Sequence, residues 1–320
     1  MNDISVNKIP NFNDLSISEK KAYYEQLRKE CVEFKNAQAN IGQGLIKTIY
    51  PFLRKYQIEL QGEENIPKDT RVLFVANHSN SHDIFTAYEM FSFLERQGSV
   101  MVATDCLSPI TTQIFNISNA TLLDRRVPRE RQDSVLSMSK KILTGNDGLI
   151  FGEGTWNLHP TLPMHNIHNG AAKVSLITEA PIIPTIIEYI EKEEMISSDS
   201  QLFAKCIIRF GKPIVIDCSD TLSTQSAKIR EAMATTRKQI WCDYDIKKNR
   251  IEDINPYMYI NHTYAKKFKA LGFTYDSKKE QNHLLFLNDE PEENEYTLNQ
   301  DSCFVPGITE KKTELRKILK

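Results

Sequence analysis

No uninterrupted apolar run in this chain approaches the ~18 residues that a membrane-spanning helix needs, so no spanning segment is expected. The N-terminus, Met1-Asn2-Asp3-Ile4-Ser5, lacks a basic stretch followed by an apolar one, and no secretory signal is expected either. The 6 cysteines form no Cys-x-x-Cys pair and are too sparse for a disulfide scaffold, which fits a reducing compartment. Neither sign of charge dominates, with 40 basic and 42 acidic residues, which excludes a nucleic-acid partner held by bulk charge and makes any membrane contact local. Internal repeats and long low-complexity segments are also missing. A cytoplasmic protein, soluble or peripheral on a membrane, is the expectation.

What is present is an alternation of apolar strands and helices. The 320 residues, 40% of them apolar, suffice for one large domain with additions or for two domains. Ser16 with Glu19 three residues later resembles a capping box, and Tyr24, Leu27, Cys31 and Phe34 follow at helical spacing. A second stretch places Leu45, Ile49, Phe52 and Tyr56 on one face with Lys47, Arg54 and Lys55 nearby, a stripe for the core or for a membrane surface. Val72 to Ala76 reads as a buried strand, Ile84 to Leu94 as a helix, Val100 to Ala103 and Ala120 to Leu123 as strands. A helix from Pro128 ends at Gly145, and Gly148 to Phe151, Pro181 to Ile187 and Cys206 to Phe210 are further strands around a helix from Gly170 to Ala180. This order predicts an α/β fold with a mixed, largely parallel sheet flanked by helices. We divide the chain into an N-terminal region of amphipathic helices (1–57), a central domain (58–244) and a C-terminal extension (245–320) whose acidic run from Asp289 to Glu295 reads as a solvated loop.

Three chemically loaded segments follow strands, where α/β folds place their binding loops. The first holds His78 and Asp83. A histidine has an ordinary pKa of about 6.5, so it can take a proton from a hydroxyl near neutral pH while a carboxylate fixes its tautomer. Five positions along an ideal helix span roughly 140°, so the two converge only if the motif starts in a loop and enters a helix partway along. The second segment is Asp124-Arg125-Arg126 and the third Gly152-Glu153-Gly154-Thr155, which lacks the third glycine of a dinucleotide fingerprint and the Lys-Ser/Thr of a phosphate loop. A base, a cationic anchor and a glycine-flanked carboxylate suit an enzyme that activates a hydroxyl on an anionic substrate. His78 and His82 stand at i, i+4, which opens a metal reading, but Ser79 occupies the place of the zincin glutamate, and no metal site is expected. His159, His165 and His168 read as ordinary loop histidines.

These segments resemble, in order, the motif blocks of the glycerolipid acyltransferase family, best known for its lysophosphatidic acid acyltransferases. Asn77-His78-Ser79-Asn80-Ser81-His82-Asp83 is similar to the family's Asn-His, four residues, Asp; Leu122-Leu123-Asp124-Arg125 to its second block; Phe151-Gly152-Glu153-Gly154-Thr155 to Phe-Pro-Glu-Gly-Thr; and the stretch ending at Pro184 to the fourth. The resemblance covers about residues 58 to 216. It implies acyl transfer from acyl-CoA or acyl-carrier protein, as substrate rather than cofactor, to a hydroxyl of a lysophospholipid or related glycerolipid. By carry-over His78 is the general base, Asp83 its partner, Arg125 the phosphate contact with Arg126 beside it, and Glu153, Gly154 and Thr155 shape the acceptor pocket. Gly152 stands where the family commonly has Pro, and Trp156 where it commonly has Arg, which leaves a glycolipid headgroup open as acceptor. Two other classes stay in view: a non-catalytic lipid-binding protein on the same fold, and a metal-dependent phosphohydrolase built on His78, His82 and Asp83.

Overall fold

The structure, a computed structural model, describes residues 15–32, 44, 48–51, 56–79, 82–104, 109–125, 127–154, 156–157, 163–191 and 203–246. Arg126, Thr155, His159 and the expected extension beyond residue 246 lie outside the described residues. Seven strands form one sheet: β1 (Gln57–Gln61), β2 (Leu73–Ala76), β3 (Gly98–Ala103), β4 (Thr121–Leu123), β5 (Asp147–Phe151), β6 (Ile182–Glu191) and β7 (Phe203–Phe210). Their spatial order is β1-β7-β6-β2-β5-β3-β4, with β6 and β7 antiparallel and every other neighbour parallel. The fold is thus the α/β architecture with a largely parallel sheet that the residue pattern predicts. Because β2, β3, β4, β5 and β6 run the same way, the loops after β2, β4 and β5 emerge at one end of the sheet.

The helices are α1 (Ile17–Val32), α2 (Asp83–Phe93), α3 (Pro109–Ile117), α4 (Pro128–Leu143), α5 (Gly170–Thr178) and α6 (Leu222–Asp243). Alternation along each strand sorts them onto two faces. Phe74 and Ala76 of β2 and Leu149 and Phe151 of β5 pack with Tyr88, Met90 and Phe91 of α2 and Phe115 of α3. Leu73 and Val75, pointing the other way, pack with Met138 and Ile142 of α4, Val174 of α5 and Ile229, Met233 and Ile240 of α6. Being covered on both sides, all four residues of β2 are buried, which is why the strand reads as a continuous apolar run.

α1 begins with the capping box that its sequence predicts: the Ser16 N–H donates to Glu19 Oε2 at 2.8 Å and the Glu19 N–H to Ser16 Oγ at 3.3 Å. Its Tyr24 and Cys31 pack on Ala172, Leu176 and Ile177 of α5, so this amphipathic stripe serves the core. In the second N-terminal stretch Tyr56 of the expected stripe is buried, whereas Ile49 is exposed and its neighbour Tyr50 is buried instead, with its hydroxyl bonded to the Tyr56 hydroxyl and to His82 Nδ1. Leu45 and Phe52 of that stripe lie outside the described residues. Among the described residues no helix is long and apolar enough to cross a membrane. At the sheet end away from the three loops, Arg96 holds Asp147 (Nε to Oδ2, 2.5 Å; Nη2 to Oδ1, 3.0 Å) while Asp147 Oδ1 accepts the Val72 N–H at 2.9 Å. This clamp fixes β2 against β5 at their starts, so their far ends arrive level.

Candidate active site

Asn77 follows β2 directly and extends the sheet with its side chain. Its Nδ2 donates to the Ile187 carbonyl at 3.0 Å, and its Oδ1 accepts the Ile187 N–H at 2.7 Å. His78 therefore leaves the sheet at a height set by β6. Residues 77–79 are irregular and α2 starts at Asp83, which is the loop-to-helix passage that the His–Asp spacing requires. His78 Nδ1 lies 2.7 Å from Asp83 Oδ2, and the same oxygen accepts the Ser79 N–H at 2.7 Å. Asp83 is fully buried at the first helical position, where the helix N-terminus favours a negative charge.

Both nitrogens of His78 are engaged. Trp156 Nε1 donates to His78 Nε2 at 2.8 Å. An indole N–H can only donate and a carboxylate can only accept, so both neighbours assign one state: neutral imidazole, proton on Nδ1, lone pair on Nε2. Phe151 stacks on the ring with centroids 4.3 Å apart, and Trp156 meets its edge at 5.8 Å and 83°. An imidazole held in this tautomer presents its lone pair on Nε2, where the Trp156 N–H now sits.

Glu153 follows β5 but does not face an acceptor pocket. It is 2% exposed; Oε1 accepts the His78 N–H at 3.2 Å, Oε2 accepts the His165 N–H at 2.7 Å, and the Asn157 side chain bonds to it as well. The Asn157 N–H in turn reaches the His78 carbonyl at 2.6 Å. A carboxylate between two inward backbone donors braces the loop that carries His78. Burial pushes its carboxyl up to about 7, against the pull of Arg237 and of these hydrogen bonds. Arg237 of α6, 1% exposed, donates through Nε to Glu188 Oε2 at 2.6 Å and through Nη1 to the Pro163 carbonyl at 2.8 Å. No motif block pointed to it. The signal was an arginine on the apolar stripe of Ile229, Met233 and Ile240, where a buried cation needs acidic partners.

A consequence for stability follows. Glu153's folded pKa is raised above its ordinary 4.5, so its contribution is intact below that value and is lost as pH rises toward about 7. On the scale of ~1.4 kcal/mol per unit, the loss is on the order of 3 kcal/mol. Urea unfolding between those pH values should show a flatter pH dependence for Glu153→Gln than for the wild type; identical slopes would contradict the raised pKa.

Arg125, just beyond β4, reaches across to the third loop and donates through Nη1 to the Gly154 carbonyl at 2.6 Å. Gly154 has φ +61°, and a Cβ there would lie 2.7 Å from the His168 ring, so glycine is required on both counts. His78, Asp83, Arg125 and Gly154 thus meet at one end of the sheet, with Glu153 behind them. His82 is turned to other work. Its Nδ1 bonds to the Tyr50 hydroxyl at 2.8 Å, from which a chain of 3.0 Å contacts runs through Tyr56 and Thr86 to Tyr189. Burial lowers the His82 pKa. Among the described residues no group of three or more His, Cys, Asp or Glu is placed to hold a metal ion. A cavity of about 780 Å³ opens at the β1–β7 edge, lined by Gln61, Arg209, Lys212, Lys228 and Glu231, and includes none of these residues.

The site is thus an oriented imidazole and its buried carboxylate partner at the strand ends of a largely parallel sheet, with a guanidinium held on the neighbouring loop. Residues 57–188, which include all three loops, match the family model described as Acyltransferase. A search of curated proteins gave no match. Among solved structures, the crystal structure of the 1-acyl-sn-glycerophosphate (LPA) acyltransferase PlsC from Thermotoga maritima is similar at 17% identity and a TM-score of 0.43, over 72% of this chain and 85% of that one.

Proposed function

We propose that this protein moves a fatty acyl group from a thioester donor, acyl-CoA or acyl-carrier protein, to a hydroxyl of a lysophospholipid or related glycerolipid, with His78 as general base and no bound cofactor. The observation that carries this reading is the His78 Nδ1–Asp83 Oδ2 contact of 2.7 Å, which leaves Nε2 as the proton acceptor. The acceptor hydroxyl gives its proton to Nε2 as its oxygen attacks the thioester carbon, and buried Asp83 stabilises the imidazolium formed. The carbon–sulfur bond then breaks, and the proton passes from His78 to the leaving thiolate. No acyl-enzyme is needed.

Arg125 supplies the anchor for a phosphate-bearing acceptor, since a guanidinium matches phosphate oxygens with paired, charge-assisted bonds. An apolar groove for the acyl chain would gain about 0.8 kcal/mol per buried methylene, so its depth would set chain preference. A cytoplasmic protein peripheral on a membrane suits this reading, because both acceptor and product are lipids. Acyl release from labelled donors with a panel of lysolipids tests the whole reading. In that assay Arg125→Ala should raise KM for lysophosphatidic acid by about 10- to 100-fold, the scale of a lost charged hydrogen bond, and leave KM for monoacylglycerol unchanged. An equal rise for both acceptors would remove Arg125 as the phosphate contact.

A further inference from the structure

Trp156 occupies the one position on His78 that a substrate hydroxyl must take. Its Nε1 donates to Nε2 at 2.8 Å, Nδ1 is committed to Asp83, Phe151 lies on the ring, and the His78 side chain is only 15% exposed. The indole N–H mimics a hydroxyl donor in place and direction, but it is too weakly acidic to give up its proton. The base is therefore covered. The cover is tied to the anionic end of the site. Two residues before Trp156, Gly154 sits at φ +61° and gives its carbonyl to Arg125 Nη1 at 2.6 Å, whereas Glu153 is fixed by the His78 and His165 backbones. A phosphate offers Arg125 charged oxygens that bind roughly twice as strongly as a neutral carbonyl.

We propose that Trp156 is a removable cap on the base, held through Gly154 by the same arginine that receives the acceptor's phosphate monoester, so that an anionic headgroup uncovers His78 as it binds. This rests on the reading of His78 as base and Arg125 as anchor. The cap selects acceptors by charge and protects the thioester from water. If the cap is absent, water enters: its oxygen attacks the thioester carbon, its proton goes to His78 Nε2, the carbon–sulfur bond breaks, and the thiolate takes the proton back, giving fatty acid and free thiol.

Thiol release from palmitoyl-CoA without any acceptor tests this on the full chain. Trp156→Phe keeps an aromatic ring but removes the N–H together with the pyrrole ring that carries it, and should raise hydrolysis by about tenfold, the scale of one lost hydrogen bond; adding His78→Ala should abolish the gain. Where the wild type consumes its thioester, an unchanged rate in Trp156→Phe overturns the cap. A second measurement reads the indole itself. With 5-fluorotryptophan at the 2 tryptophans, assigned through Trp241→Phe, the fluorine resonance of Trp156 should shift with inorganic phosphate and with lysophosphatidic acid. It should not shift with monoacylglycerol, nor with any of them in Arg125→Ala. No shift, or a shift with inorganic phosphate but not lysophosphatidic acid, overturns the acceptor as trigger. If His78→Ala abolishes acyl transfer while both arms are flat, the cap alone fails; if no thioester is ever consumed but the resonance moves, the function fails and the cap stands.

Discussion

Replacing His78 by alanine is expected to lower kcat for acyl transfer by about 10³-fold while leaving KM for both substrates near its wild-type value. A positioned general base contributes about 10²- to 10⁴-fold, and this one is held from both sides, so its full share is lost when the ring is removed. The loss belongs to kcat because the ring makes its productive contact only as the hydroxyl proton moves. The substitution leaves Asp83 buried at 0% exposure, still accepting the Ser79 N–H, so the fold is expected to survive and circular dichroism should confirm it. Wild-type turnover by folded His78→Ala would remove the proposed base.

Asp83→Asn should cost nearly as much, about 10²- to 10⁴-fold in kcat, with no change of volume. Asp83 Oδ2 now accepts from both His78 Nδ1 and the Ser79 N–H. An amide that turns its nitrogen toward His78 forces the proton to Nε2, where it meets the Trp156 N–H and can no longer accept one from substrate. Since the two residues act as one unit, the double variant His78→Ala/Asp83→Asn should be no slower than the worse single variant. Multiplicative losses in rate measurements on all three proteins would mean that the residues work independently.

The parts of this arrangement visible in the residues were those set by local chemistry. Val72 to Ala76 announced β2 because burial on both faces makes the strand uniformly apolar, and His78 with Asp83 could be paired because a loop entering a helix is the one geometry that joins them. β1 escaped notice because its Gln57-Ile58-Glu59-Leu60-Gln61 alternates with polar residues at the sheet edge. α6 was not marked as a helix, since its threonines and serines dilute the stripe of Ile229, Met233 and Ile240. The direction in which the Glu153 carboxylate turns is not legible locally, because whether a loop carboxylate faces solvent or backbone depends on the distant chain of His165 and Asn157. The Trp156–His78 contact joins residues 78 positions apart, beyond any local pattern.

Arg237 lies 49 residues past the end of the segment that matches the Acyltransferase family model, yet it is the cation among buried Glu188 and Glu153. Stranding a buried carboxylate by removing its partner costs about 3–5 kcal/mol, a large share of the stability of a typical domain. The smallest heritable unit of this enzyme is therefore longer than its recognisable signature. Recombination that exchanged only the shared segment would carry the base, the arginine anchor and the glycine turn into a new chain, and leave behind the counter-charge that lets their scaffold exist.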